Sequence, residues 1–209
     1  MAPPAPTNSP MKDDTRLYIN CMEEVRDRVN LVKSVGEHRI TTGLQPFDVE
    51  LVFLQLRKIL ELIAFASLTA NKEKYSAAHE KFATHWKAKL MLQELAKINP
   101  DFYPMPIRQP LLQANGVKHC PAVIDGFLTK DDFEFLYDKT SDMIHVRNPF
   151  TTQDPILKIG YSTKEWVSRI QVLLALHIVH LVDGKKWIIE IPDQGPIHLW
   201  AAEPTTAAC

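Results

Sequence analysis

The sequence predicts a mainly α-helical protein: a five-helix bundle with a small C-terminal β-hairpin. Apolar residues recur at spacings of three and four along most of the chain, which is typical of amphipathic helices. Residues that favour the starts and stops of helices separate these segments. Near the C-terminus, residues 187–191 and 197–200 form two short alternating runs around a proline-containing turn, which indicates a hairpin.

The first two helices are predicted at residues 13–36 and 46–70. Pro46 suits the first turn of the second helix, because a backbone donor is not needed there. The second helix is apolar on nearly every face, so we expect it to be the most buried helix of the bundle. A third helix is predicted between Asn71 and Asn99, with an inner face formed by Tyr75, His79, Phe82, Trp86 and Leu90.

Residues 98–128 are predicted to be non-helical, because five prolines interrupt the segment. Long loops inside a compact domain often act as lids or binding segments. An extended strap that packs across the helices explains the same composition. The sequence leaves both interpretations open.

The fourth helix is predicted to start at Thr129, whose hydroxyl can cap it, and to be stopped by Pro149. The fifth helix has a clearer start, because Ser162 and Glu165 have the spacing of a capping box. We expect the fifth helix to continue to Val182 and to end at the turn residues 183–184.

These elements are expected to form one folded unit. Residues 1–12 are predicted to be a disordered tail, and residues 13–184 the helical bundle with its proline-rich strap at 98–128. Residues 185–203 are predicted to be the hairpin, packed on the bundle because a lone hairpin is only marginally stable.

Composition and charge exclude several classes of protein. The formal net charge is −1, so no overall charge attracts DNA or an anionic membrane. The uncharged apolar segment at 170–182 is too short to span a bilayer. Three widely separated cysteines indicate free thiols in a reducing compartment. We therefore expect a cytoplasmic protein without a membrane segment, a metal or a cofactor.

His145 is the first candidate functional residue, because it lies at the end of the fourth helix and precedes Arg147 and Asn148. On an ideal helix, residues three, four and seven apart share a face. Asp138, Ser141 and Asp142 are therefore expected beside His145, where a carboxylate would raise the pKa of the imidazole. The structural alternative is a histidine placed at a helix C-terminus, where positive charge is favoured.

Arg57 and Glu61 are the second candidate, because they interrupt the apolar second helix together with Lys58. A spacing of four lets the two side chains pair on one face. The pair is either a structural ion pair or part of a cleft shared with His145.

Two further patterns have a structural and a functional interpretation. Lysines beside aromatic residues in the third helix (Lys74, Lys81, His85 and Lys89) can hold single-stranded RNA, although aromatic residues at helical spacing are usually core. His177 and His180 lie three apart and could share a metal, but no third ligand is near in sequence, so buried neutral histidines are favoured.

Two segments, residues 54–68 and 136–149, together resemble the HEPN-like superfamily of small helical bundles, which includes bacterial abortive-infection proteins. The resemblance covers roughly residues 46–182 and implies a cytoplasmic bacterial protein of a defence or toxin system. Active members resemble metal-independent endoribonucleases that work as dimers, with an arginine placed a few residues before a histidine. The histidine here would be His145, but Lys139 lies six residues before it and no arginine has the family's spacing.

The resemblance therefore implies two functions. In the first, His145 acts as general acid or base on a ribose 2′-hydroxyl, and Arg147 and Lys139 stabilise charge on the phosphate. Lysine lacks the planar fork of arginine, which weakens this interpretation. In the second, the chain is a non-catalytic dimeric interaction or regulatory module. These two functions imply RNA and a second copy of the chain as partners.

Overall fold

A computed structural model describes residues 13–72, 88–112, 118–146, 150 and 158–203 of this chain. The described part is mainly α-helical, as predicted. Its helices are α1 (Asp13–Gly36), α2 (Gln45–Ala70), α3 (Ala88–Ile98), α4 (Lys130–Ile144) and α5 (Thr163–Leu174). The predicted N-terminal tail at 1–12 and most of the predicted third helix lie outside the described residues.

The helical core is built around α2, which packs against α1 on one side and against α3 and α4 on another. The predicted stripe of α1 is buried, with Tyr18 and Met22 completely enclosed. In α2, the residues at the centre of the helix have no exposed surface: Leu56, Ile59, Leu60, Ile63 and Ala64. Within the described part of the chain, none of the helices is both long and apolar enough to cross a membrane.

The described residues of α3 correct one predicted core position. Leu90 is 47% exposed, and the buried positions of this helix are Ala88, Met91, Leu92 and Leu95. Their spacings of three, one and three place them on one side of the helix. The face predicted from Tyr75 to Trp86 falls on residues that the structure does not describe.

A four-stranded antiparallel sheet packs beside the helices. Its strands, in their order across the sheet, are β1 (Met105–Pro106), β4 (Leu176–His180), β5 (Lys186–Glu190) and β6 (His198–Ala202). Two shorter strands, β2 (Leu111–Leu112) and β3 (Lys118–His119), pair separately. The predicted C-terminal runs thus pair with each other as β5 and β6, but within a larger sheet.

One face of this sheet completes the core. Val179, Trp187 and Ile189 are buried there, and the ring of Tyr18 from α1 meets the Trp187 ring edge-on at 5.7 Å. A buried polar pair holds the far end of β4: Asn99 Nδ2 donates to Asn71 Oδ1 at 2.9 Å and to the carbonyl of His180 at 2.8 Å. These bonds fix the ends of α2 and α3 to the sheet.

The prediction that the fifth helix continues to Val182 is wrong, because α5 ends at Leu174 and β4 starts at Leu176. A continuous apolar run gives no periodicity that separates helix from buried strand. Pairing with β5 decides the outcome, since all five residues of β4 have partners in β5. Residues 183–184, predicted to stop a helix, instead lie in the turn between these strands, where Gly184 has a φ of 83°.

The proline-rich segment contributes a strand that the sequence did not predict. Met105 and Pro106 pair with Ile178 and His177 at the edge of the sheet. Nearby, Phe102, Tyr103 and Ile107 are buried, and the Tyr103 hydroxyl donates to the carbonyl of Leu128 at 3.0 Å. The described part of this segment is therefore tied to both the sheet and the start of α4.

Candidate functional site

The fourth helix positions His145, and its start is firmly fixed. The Thr129 side chain accepts a hydrogen bond from the backbone of Asp132, and the Asp132 carboxylate accepts one from the backbone of Thr129, which completes a capping box. Leu128 and Phe133 are fully buried on either side of this cap. Asp132 also pairs with Arg169 of α5 at 3.3 Å, so the same residue joins two helices.

His145 ends α4 as its C-cap residue, with φ −91° and ψ 140°. The φ angle of His145 is close to the helical value, so its Cα–Cβ bond points roughly as it would within the helix. The side chain therefore leaves α4 on about the same side as Ser141, four residues earlier. The ring is exposed, and no hydrogen bond joins it to Asp138, Asp142 or any other described residue. Nothing in the described chain fixes its tautomer or orientation.

Arg57 reaches α4 from α2 and makes a dense set of contacts. Its Nε donates to Glu61 Oε1 at 2.9 Å. Its Nη1 donates to the Ser141 hydroxyl and to the Tyr137 carbonyl, and its Nη2 donates to Tyr137 Oη at 2.5 Å. The guanidinium carbon lies 3.6 Å from the centroid of the Tyr137 ring. The predicted Arg57–Glu61 pair therefore forms, and it also joins two helices.

Tyr137 is the member of this cluster that the sequence analysis missed. Burial raises the pKa of its hydroxyl, and the neighbouring Arg57 guanidinium partly opposes that rise. Tyr137 and Ser141 lie four apart on one helix, the same spacing as Arg57 and Glu61. One pair of polar residues four apart on each helix was the signal available in the sequence, but their contact required knowing how α2 and α4 pack.

The other predicted site residues do not gather around His145 in the described chain. Lys139 pairs with Asp142 at 3.3 Å and lies near the Phe135 ring, with Nζ 5.8 Å from its centroid. Asp142 is thus occupied by a lysine and not by the imidazole. Arg147 and Asn148 lie outside the described residues.

His177 and His180 do not form a metal pair. They lie on β4 and not on a helix, and residues three apart on a strand point to opposite faces. His177 is fully buried: Nδ1 lies 2.8 Å from the carbonyl of Leu174 and Nε2 lies 2.7 Å from Tyr18 Oη. Burial lowers its pKa to about 4, so the ring is neutral. Among the described residues, no group of histidines, cysteines and carboxylates has the arrangement of a metal site.

The basic stripe predicted on the third helix cannot be placed. Lys74, Lys81 and His85 fall outside the described residues, as does the side chain of Lys89. RNA binding through that stripe stays a prediction.

A small cavity of about 60 Å³ lies between α1, α5 and the segment after β5. Its lining is mainly apolar, with Met22, Val25 and Leu174 among its walls. Arg26 spans its rim by donating to the Gly195 carbonyl at 2.6 Å. The cavity has room for a few water molecules and is lined by none of the predicted site residues.

No family model, no curated protein and no solved structure matches this chain. The resemblance to the HEPN-like superfamily therefore stays a prediction.

Proposed function

We propose that this protein is a non-catalytic interaction module that associates with protein partners, including a second copy of itself. The observation that carries this proposal is the state of Arg57. Its side chain is only 18% exposed, and its guanidinium is shared among Glu61, Tyr137 and Ser141. An arginine that binds phosphate needs free donors directed at the ligand, whereas the donors of Arg57 are directed at Glu61 of α2 and at Tyr137 and Ser141 of α4.

The surroundings of His145 favour the same function. A general base needs a group that orients its ring, and the imidazole has none among the described residues. The next residue, Val146, is 98% exposed, and Phe150 is 89% exposed. Exposed apolar side chains within a few residues of the histidine in sequence suit contact with another protein better than contact with a phosphate backbone.

This function is tested by incubating purified chain with single-stranded RNA and tRNA without added metal. We expect no cleavage beyond that of a mock preparation, and no complex with RNA near physiological salt. Cleavage by the wild-type chain that is lost in His145→Ala, but kept in the exposed-histidine control His119→Ala, would overturn the proposal.

One observation favours ribonuclease activity as the second candidate. Ser141, which accepts a hydrogen bond from Arg57, lies one helical turn before His145. A guanidinium from α2 therefore bonds to α4 one turn before the predicted general acid or base, whereas the resemblance implies an arginine a few residues before the histidine. In that case Arg57→Lys, which keeps the charge but loses the planar fork, should lower cleavage at least about tenfold while the chain stays folded.

A further inference from the structure

The two edges of the sheet differ in how they are protected from further pairing. At one edge, β1 is two residues long and contains Pro106, which has no backbone donor. At the other edge, β6 pairs with β5 over five consecutive residues without a bulge. Its sequence contains no proline and no lysine, the residues that proteins commonly place on exposed edges. Among the described residues, no strand pairs with the outer side of β6.

An apolar row crosses the outer face of the sheet and ends at β6. The strand register places Met105 beside Ile178, Ile178 beside Ile188, and Ile188 beside Trp200. Ile178 is 8% exposed, whereas Trp200 is 49% exposed at the end of the row. The row is therefore buried at β4 and exposed to solvent at the edge strand β6.

The rows on either side of this apolar row carry opposite charge. On one side, Glu190 stands between Leu176 and His198. On the other side, Lys186 stands between His180 and Ala202. Side chains in such rows are direct cross-strand neighbours, so the outer face has an acidic and a basic half with an apolar centre.

Trp200 is the central residue of β6. A two-fold axis at this position would therefore pair the whole strand with its own copy. If two β6 strands pair antiparallel about a two-fold axis at Trp200, the two Trp200 side chains face each other. His198 of each copy then faces Ala202 of the other. The apolar row becomes continuous across both sheets, and the row that contains Glu190 in one copy continues into the row that contains Lys186 in the other. A two-fold contact requires a patch that fits itself in this way.

We propose that two copies of this protein associate by antiparallel pairing of their β6 strands about Trp200. The assembly contains one sheet of eight strands, four from each copy. This inference rests on the proposed interaction function and names its partner and its surface. Backbone hydrogen bonds along β6 hold the two copies together, and the paired Trp200 side chains fix the register.

The test uses a pair of charge variants at the two-fold axis, Trp200→Glu and Trp200→Lys. Alone, each variant places like charges directly opposite each other, so its self-association should weaken at least about tenfold relative to wild type. Mixed in equal amounts, the two variants place opposite charges together and should restore the dimer. Phe47→Glu, at an aromatic residue that is 52% exposed on α2, is the matched control and should dimerise like wild type.

Sedimentation equilibrium over roughly 10–300 µM measures each dissociation constant, in the range expected for a small interface. Circular dichroism shows whether each variant is folded. A wild-type chain that stays monomeric overturns this inference, and so does a dimer unaffected by either Trp200 variant. If the single variants are folded monomers and their mixture stays monomeric, the two-fold register is wrong. A wild-type dimer that survives both variants leaves the interaction function in place, and RNA cleavage overturns that function separately.

Discussion

Arg57 joins α2 to α4 through side-chain contacts that neither helix can make alone. Its partners Tyr137 and Ser141 are 80 and 84 residues away in the chain. Because the Arg57 side chain is mostly buried, removing the guanidinium takes one donor away from the Glu61 carboxylate and one from the Tyr137 hydroxyl.

We expect Arg57→Gln to lower the free energy of unfolding by about 1–3 kcal/mol, since hydrogen bonds to a charged group are lost in a half-buried site. Urea denaturation measures the loss. Lys58→Gln, at the exposed neighbouring position, is the control and should change stability by less than about 0.5 kcal/mol. Equal effects at the two positions would mean that the cluster adds nothing to stability.

The cluster also shows what the sequence can predict at the scale of single residues. The Arg57–Glu61 pair was predictable because both residues lie on one helix, where the spacing fixes their distance. The contacts with Tyr137 and Ser141 were not, because the packing of two helices depends on the whole core. The hydrogen bonds predicted for His145 do not form in the described chain, since the nearby Asp142 pairs with Lys139.

His177 makes the stability of the fold depend on pH. Burial lowers its pKa from 6.5 to about 4, and the groups that contact its ring nitrogens, the Tyr18 hydroxyl and the Leu174 carbonyl, are uncharged. The unfolded chain therefore binds a proton at a higher pH than the folded chain does. The contribution of the neutral ring to the free energy of unfolding is fully present above pH 6.5 and is lost as the pH falls towards 4.

We expect the free energy of unfolding to fall by up to about 3 kcal/mol between pH 7 and pH 4 because of this residue. His177→Gln should flatten that dependence, whatever its effect on stability at pH 7. Urea titrations at several pH values give the slope. His119→Gln, at an exposed position of β3, should keep the wild-type slope. An unchanged slope in His177→Gln would show that other groups cause the acid sensitivity.

Among the elements, α4 has the best-defined start, because the Thr129 side chain and the Asp132 carboxylate satisfy each other's backbone donors. The sequence predicted the Thr129 cap correctly, since a threonine that precedes a helix caps it through a residue only three positions later. It did not predict that Asp132 also pairs with Arg169, which again depends on how two helices pack.

Thr129→Ala should destabilise the chain by about 1 kcal/mol, because the backbone donor of Asp132 loses its acceptor. Thr129→Ser keeps a hydroxyl at the same position and should retain most of the wild-type stability. Thermal unfolding of the two variants in parallel measures the difference. Equal losses in both variants would assign the effect to the threonine methyl group and not to the cap.

The boundary between α5 and β4 shows where element prediction failed. Ile178 and Val179 are β-branched, and residues 183–184 form an aspartate–glycine turn between two apolar runs, which is a strong hairpin signal. We interpreted the same turn as the end of a helix, because the run before it continues the apolar pattern of α5. The β-branched residues in this run indicate a strand more reliably than the spacing of its apolar residues indicates a helix.

At the scale of the whole molecule, the mainly helical class followed from local patterns, but the four-stranded sheet did not. Its strands come from residues 105–106 and from 176–202, so the sheet joins segments about seventy residues apart. A two-residue strand such as β1 has no recognisable pattern of its own. Only long-range pairing with β4 defines it, which is why the sequence predicted two strands where the sheet has four.

The hydrogen bond between Tyr18 and His177 links positions 159 residues apart, so it closes about three quarters of the chain into one loop. Contacts of such long sequence separation slow folding, because the chain loses much conformational freedom before they form. During synthesis, α1 and α2 can pair early, but the Tyr18 side of α1 stays uncovered until β4 has left the ribosome. The newly made N-terminal half therefore leaves the Tyr18 side of α1 uncovered for most of translation, and we expect it to depend on chaperones during that interval.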